Sequence, residues 1–147
     1  MKIGDFGISK RAETGLTALR TFAGTGFLAP EILVELDLLD VDNFEASKEY
    51  TVAVDIWSLG EIAFRALTGK RPFPRSLRAY IKGTSPFPVE ILQEYGVSGE
   101  GCNFLSGLMA PMPKNRLTAR DALSHIWIEP QKLSLVMISA ETQRYLV

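Results

Sequence analysis

The chain is poor in the residues that most often announce a chemistry. Among its 147 residues there is one cysteine, Cys102, and one histidine, His125. A single thiol closes no internal disulfide, which fits a reducing compartment, and with no base motif beside it Cys102 reads as a small core residue rather than a nucleophile. Charge of neither sign is in excess. Sixteen lysines and arginines stand against 17 aspartates and glutamates, a formal net charge of -1. That balance gives no general attraction to nucleic acid or to an anionic membrane, so neither is expected as a partner. Met1 is followed by Lys2, Gly4, Asp5 and Gly7 rather than by an apolar run, so no signal peptide is expected. A cytoplasmic or nuclear protein follows as the expectation. There is no internal repeat, no low-complexity tract and almost no strand-like alternation, so the expected class is mainly α.

What is present is organised around Thr51 to Gly69, TVAVDIWSLGEIAFRALTG. It reads as one helix, with Thr51 as N-cap, Asp55 near the positive end and Gly69 as the stop. Val52, Val54, Ile56, Trp57, Leu59, Ile62, Ala63, Phe64, Ala66 and Leu67 fall almost all the way round it. Such a helix needs cover on every side, which makes it a central post. Asp55, Glu61 and Arg65, with its short length, argue against a membrane span. The 46% hydrophobic and 22% charged content suits one ordinary globular domain.

Before this post, Arg11 to Gly26 is rich in Gly, Thr, Ser and Ala without a sustained period. It reads as a loop long enough to be functional. FLAPEILVEL predicts a brief helix after Pro30, and Asp37, Asp40, Asp42 and Glu45 mark an acidic connector. After the post, KRPFPRS is a proline-punctuated turn, SLRAYIKG a short helix ending at Gly83, and PFPVEILQEYG another turn or two of helix. Ser98 caps a glycine-weakened helix through Met109, and Thr118 with Asp121 forms a T-x-x-D capping box before ARDALSHIWI. Lys70, Arg71, Arg75, Arg78 and Lys82 cluster near the proline turn; they read as a solvated face or as a docking patch for a partner.

Taken together, four landmarks in this order resemble the C-terminal half of the eukaryotic protein kinase domain. They are Asp5-Phe6-Gly7; Gly24-Thr25 with Ala29-Pro30-Glu31; Asp55-Ile56-Trp57-Ser58-Leu59-Gly60; and Arg116-Leu117-Thr118-Ala119 with Ala122-Leu123, His125 and Trp127. A lone Gly-Asp-Phe-Gly is an ordinary Asx turn, but the four together are specific. The resemblance implies a kinase C-lobe, a helical bundle around a buried helix at about 51–68, with a partial kinase domain over 1–128 and a tail over 129–147. The GT…APE wording is similar to serine/threonine rather than tyrosine kinases, and GDFGISKR leans towards calcium/calmodulin-kinase-like relatives.

Residue by residue, the resemblance implies ATP and Mg²⁺ as cofactors, with Asp5 as the metal and nucleotide site. The activation segment spans 5–31, with Thr21 as the first candidate for phosphorylation and Thr17 as the second. Thr25 and Phe27 line the pocket for the substrate residue after the phosphoacceptor. GTGFLAPE is one residue shorter than the usual GTxxFxAPE, which puts that pocket's binding in question. Glu31 and Arg116 lie where the family forms a buried structural ion pair, and Asp55 where it receives backbone N–H groups of the catalytic loop. His125 is expected to help pack the last helix.

The family's chemistry also needs parts that the 147 residues do not contain. There is no G-x-G-x-x-G loop, no V-A-I-K lysine, and no H-R-D-x-x-x-x-N stretch, so no residue is assigned as the catalytic base. Positioning and charge stabilisation carry this reaction, so the chain alone is expected neither to transfer phosphate nor to bind ATP. Beginning just before the DFG stretch, it reads as a truncation. The expected partners are protein substrates or kinase partners. Two alternatives stay open: a non-catalytic kinase-like binding module, and a decayed gene fragment with one face of its central helix bare.

Overall fold

Helix α2, Ala53–Thr68, is the element on which the others are assembled in the computed structural model. The structure describes residues 25–41 and 51–129. Around α2, in chain order, stand α1 (Pro30–Glu35), α3 (Leu77–Ile81), α4 (Val89–Glu94), α5 (Gly99–Leu108) and α6 (Ala119–Leu123), with 3-10 turns at Thr25–Phe27 and Pro113–Asn115. Among the described residues there is no strand, and no helix is long and apolar enough to cross a membrane. The class is mainly α.

Local chemistry explains where the helices begin and end. Pro30 opens α1, where its missing N–H costs nothing. The Ser98 Oγ accepts from the Gly101 N–H at 3.3 Å and starts α5. Gly69, at φ 67°, takes the left-handed conformation that closes α2, and its N–H reaches the Arg65 carbonyl at 2.8 Å. The start of α2 differs from the expectation. Val52 occupies the cap position, and the Thr51 Oγ1 accepts only from the Ala53 N–H at 3.3 Å.

Both arms of the Thr118–Asp121 capping box are present. The Thr118 Oγ1 accepts from the Asp121 N–H at 3.1 Å, and the Asp121 Oδ2 accepts from the Thr118 N–H at 3.2 Å. Helix α6 nevertheless ends at Leu123 rather than running on to Ile128. The His125 Nδ1 accepts the Trp127 N–H at 3.2 Å in place of a helical carbonyl, and the His125 Nε2 lies 3.1 Å from the Asn103 Oδ1 of α5. Thr118→Ala is expected to lower stability by about 1 kcal/mol, read as a fall in the urea midpoint. Hydrogen bonds from Thr118 hold the Asp121 carboxyl below its ordinary value. The stability linked to that carboxylate is therefore present above the ordinary value and is lost as pH falls through the lowered one. The wild-type advantage over Thr118→Ala should shrink in that acid window.

The core lies between α2, α4 and α5. Trp57, Phe64, Leu92, Leu105, Leu108 and Met109 are fully buried there, with Cys102 beside them. A β-carbon at Gly60 would sit 2.4 Å from the Met109 Cγ and 3.1 Å from the Leu108 Cβ, so the close crossing of α2 over the end of α5 requires glycine. An aromatic layer extends the core. Phe73 stacks on Tyr80 with centroids 4.5 Å apart, and Phe64 meets Phe87 edge-on at 6.1 Å. The Tyr80 hydroxyl donates to the Met109 carbonyl at 3.0 Å, and burial pushes its pKa up to about 12.

The cover over α2 is one-sided among the described residues. Ile56, Trp57, Gly60, Phe64 and Thr68 face the core. Val52, Leu59 and Ile62 remain 68%, 48% and 53% exposed, and with Asp55 they form a stripe at helical spacing on the opposite side. Apolar residues all round a helix state what it needs covered; α4 and α5 supply only one side of that cover.

Candidate functional site

Two polar constellations tie the segment before α1 and α1 itself to the rest of the molecule. The first is centred on Arg116, which follows the Pro113–Asn115 turn. Its Nη1 donates to the Glu31 Oε1 at 2.7 Å and its Nη2 to the Glu31 Oε2 at 2.6 Å, a two-pronged pair. The remaining N–H groups reach the carbonyls of Ala110 (2.8 Å), Ala53 (2.8 Å) and Pro111 (3.0 Å). Every guanidinium donor therefore has an acceptor, which a buried cation requires. The Arg116 side chain is 0% exposed and that of Glu31 6%. Glu31 sits in the first turn of α1, where the helix dipole favours a carboxylate. The guanidinium also lies over the Trp57 ring, 5.1 Å from its centroid. One side chain thus joins α1, the start of α2 and the chain after α5.

The second constellation holds the Thr25–Phe27 turn onto α2. The Ser58 hydroxyl donates to the Phe27 carbonyl at 2.9 Å, and the Arg65 Nη2 donates to the Gly26 carbonyl at 2.7 Å. The same guanidinium caps the Phe27 ring, 4.1 Å from its centroid. Arg65 is itself oriented by Glu61, one helical turn earlier, whose Oε1 accepts from both Nε (2.8 Å) and Nη2 of Arg65. Glu61 is buried. Desolvation raises its pKa above the ordinary value, against the opposing pull of the Arg65 hydrogen bonds and of the Arg65 and Arg71 charges.

The other site residues named from the sequence fall as follows. Phe27 lies at the turn, half covered by Arg65, and Thr25 begins the turn. Asp55 is exposed on the bare stripe of α2, and no described residue donates to its carboxylate. Asp5, Thr17 and Thr21 lie outside the described residues. The sequence reading passed over Ser58, Glu61 and Arg65 as site residues. The Glu–Arg spacing of one helical turn signals a local pair, but nothing local shows that the pair reaches Gly26, 39 residues away.

Serine/threonine-protein kinase RAD53 of Saccharomyces cerevisiae is 34% identical over 138 residues, covering 90% of this chain and 17% of that protein. Serine/threonine-protein kinase cds1 of Schizosaccharomyces pombe is 35% identical over 131 residues, 86% of this chain and 27% of that protein. The chain therefore spans well under a third of either relative. Among solved structures, Rad53 1-466 in complex with AMP-PNP superposes with a TM-score of 0.54 at 32% identity, over 74% of this chain and 27% of that one. The protein kinase domain pattern matches residues 1–128. The chain belongs to the eukaryotic protein kinase family.

Proposed function

We propose that the chain is the C-terminal part of a serine/threonine protein kinase domain, covering residues 1–128, with 129–147 as a tail. Joined to a phosphate-gripping half, it serves ATP-dependent phosphorylation of serine or threonine in protein substrates. The observation that carries this reading is the kinase-family match over 1–128, which begins ahead of Asp5-Phe6-Gly7 and runs past the Glu31–Arg116 pair. In it, Asp5 holds Mg²⁺ against the nucleotide phosphates, a task for a hard carboxylate oxygen. Thr21 and Thr17 are the phosphorylation sites of an activation segment over 5–31. Thr25 and Phe27 border the substrate pocket. Glu31 and Arg116 anchor the end of that segment, and Asp55 awaits backbone N–H groups of the catalytic loop on the bare stripe of α2. The 147 residues alone neither bind ATP productively nor transfer phosphate, for want of the glycine-rich loop, the lysine and the catalytic-loop aspartate. The working place is the cytoplasm or the nucleus.

The test is phosphoryl transfer from radiolabelled ATP–Mg²⁺ to a serine/threonine peptide library. The chain alone should give none. Fused behind the upstream half of the RAD53 kinase domain it should transfer label, and Asp5→Asn in the fusion should abolish that transfer. Transfer by the chain alone, or full activity of the Asp5→Asn fusion, would overturn the reading.

A further inference from the structure

Beside the Thr25–Phe27 turn is a cleft of about 190 Å³, with an apolar floor that includes Leu28, Trp57 and Phe73 and a polar wall of Glu61, Arg65 and Arg71. It is smaller than the ~300–1,000 Å³ of small-molecule sites, so it suits one side chain rather than a nucleotide. The wall carries two cations and one anion. Glu61 is paired with Arg65, since its Oε1 accepts from both Nε and Nη2 of that guanidinium. Arg65 in turn spends its Nη2 on the Gly26 carbonyl and its face on the Phe27 ring. Arg71 is different: it is exposed and has no hydrogen bond or ion pair among the described residues. The net charge left at the mouth is therefore positive, above an apolar floor that lowers the local dielectric and strengthens an ionic contact.

We propose that this cleft is a subsite for an anionic side chain of the protein substrate, received by Arg71 and by the Arg65 Nη1, which no described acceptor engages. The proposal rests on the kinase reading of the Thr25–Phe27 turn as the border of the substrate pocket. Glu61 acts as a positioning residue: it holds Arg65 over the turn, and as the one carboxylate against two guanidinium groups in the wall it leaves a net positive charge there. A cationic side chain is disfavoured there because it would meet two guanidinium groups around a single carboxylate, whose Oε1 already accepts from Arg65.

The test is fluorescence anisotropy of the 147-residue chain with four labelled peptides that differ only at the residue after a serine: glutamate, phosphoserine, lysine or alanine. The glutamate peptide is expected to bind about tenfold more tightly than the lysine peptide at low salt, as a charge-assisted contact implies, with the gap closing as salt is raised. A stronger phosphoserine peptide supports the subsite and names phosphate as the source of the anion; a stronger glutamate peptide names carboxylate. Arg71→Glu should invert the glutamate–lysine order, and matching thermal midpoints check that the fold is kept. Equal affinity for glutamate and lysine, an unchanged order in Arg71→Glu, or no binding of any peptide would overturn the subsite. Failure of the kinase reading is separate. A fusion that phosphorylates serine without an anionic preference removes the subsite alone, whereas an inactive fusion with intact anionic preference in binding removes the kinase role alone.

Discussion

Arg116→Met should lower folding stability by about 3–5 kcal/mol, the cost of removing one partner from a buried ion pair. The substitution keeps most of the side-chain volume, so the loss reports charge and hydrogen bonding rather than a cavity. Glu31 would be left as a buried carboxylate without a counter-charge, and the carbonyls of Ala53, Ala110 and Pro111 would lose their shared donor. Glu31→Gln alone should also destabilise, by leaving the Arg116 cation buried against a neutral amide. The double variant Glu31→Leu with Arg116→Met should recover part of the loss, since a buried pair replaced by apolar groups is often close to neutral. Urea unfolding followed by circular dichroism measures all three. A loss below about 1 kcal/mol for Arg116→Met, the scale of an exposed pair, would show that water reaches the guanidinium.

Phe64→Ala is expected to cost about 3–5 kcal/mol, because Phe64 is 0% exposed and meets Phe87 edge-on within the aromatic layer. Ile62 stands two residues away on the same helix and is 53% exposed. Ile62→Ser should change stability by no more than about 0.5 kcal/mol. Thermal and urea unfolding of the two variants side by side make the comparison. Equal effects would mean that the Ile62 side of α2 is covered as fully as the Phe64 side. A second readout is self-association: an apolar stripe formed by Val52, Leu59 and Ile62 favours it, and Ile62→Ser should reduce the light scattering of a concentrated solution.

The two α2 substitutions also show how far the sequence can be read. Periodicity marked the helix as apolar nearly all round, and that is a true statement about its side chains. It carries no information on which side is met by α4 and α5, since both faces score alike. The caps, by contrast, are short-range. Pro30 at the start of α1, Ser98 at the start of α5, the Thr118–Asp121 box and Gly69 at the end of α2 each act within four residues, so the sequence alone announces them. Where such a signal was overrun, at α6, the cause was tertiary. His125 turns to Asn103 and takes the Trp127 N–H, and the helix stops five residues early.

The site divides in the same way. Glu31 and Arg116 are 85 residues apart, and no local pattern pairs them; their pairing entered the sequence reading only through the likeness to the kinase family. Ser58 belongs to a family landmark and the Glu61–Arg65 spacing signals a local pair, but nothing in the sequence shows that these residues hold the Thr25–Phe27 turn. By itself the sequence determined the helical class, the element boundaries set by capping, the kinase-family motifs and the absence of the phosphate-gripping parts. These depend on residue identity within a few positions or on fixed wording along the chain. Only the tertiary structure decided which face of α2 is buried, which cations find carboxylates, and that Arg71 faces a cleft with no hydrogen bond or ion pair among the described residues. Those outcomes depend on distances between residues far apart in the chain, and such distances exist only once the helices have packed.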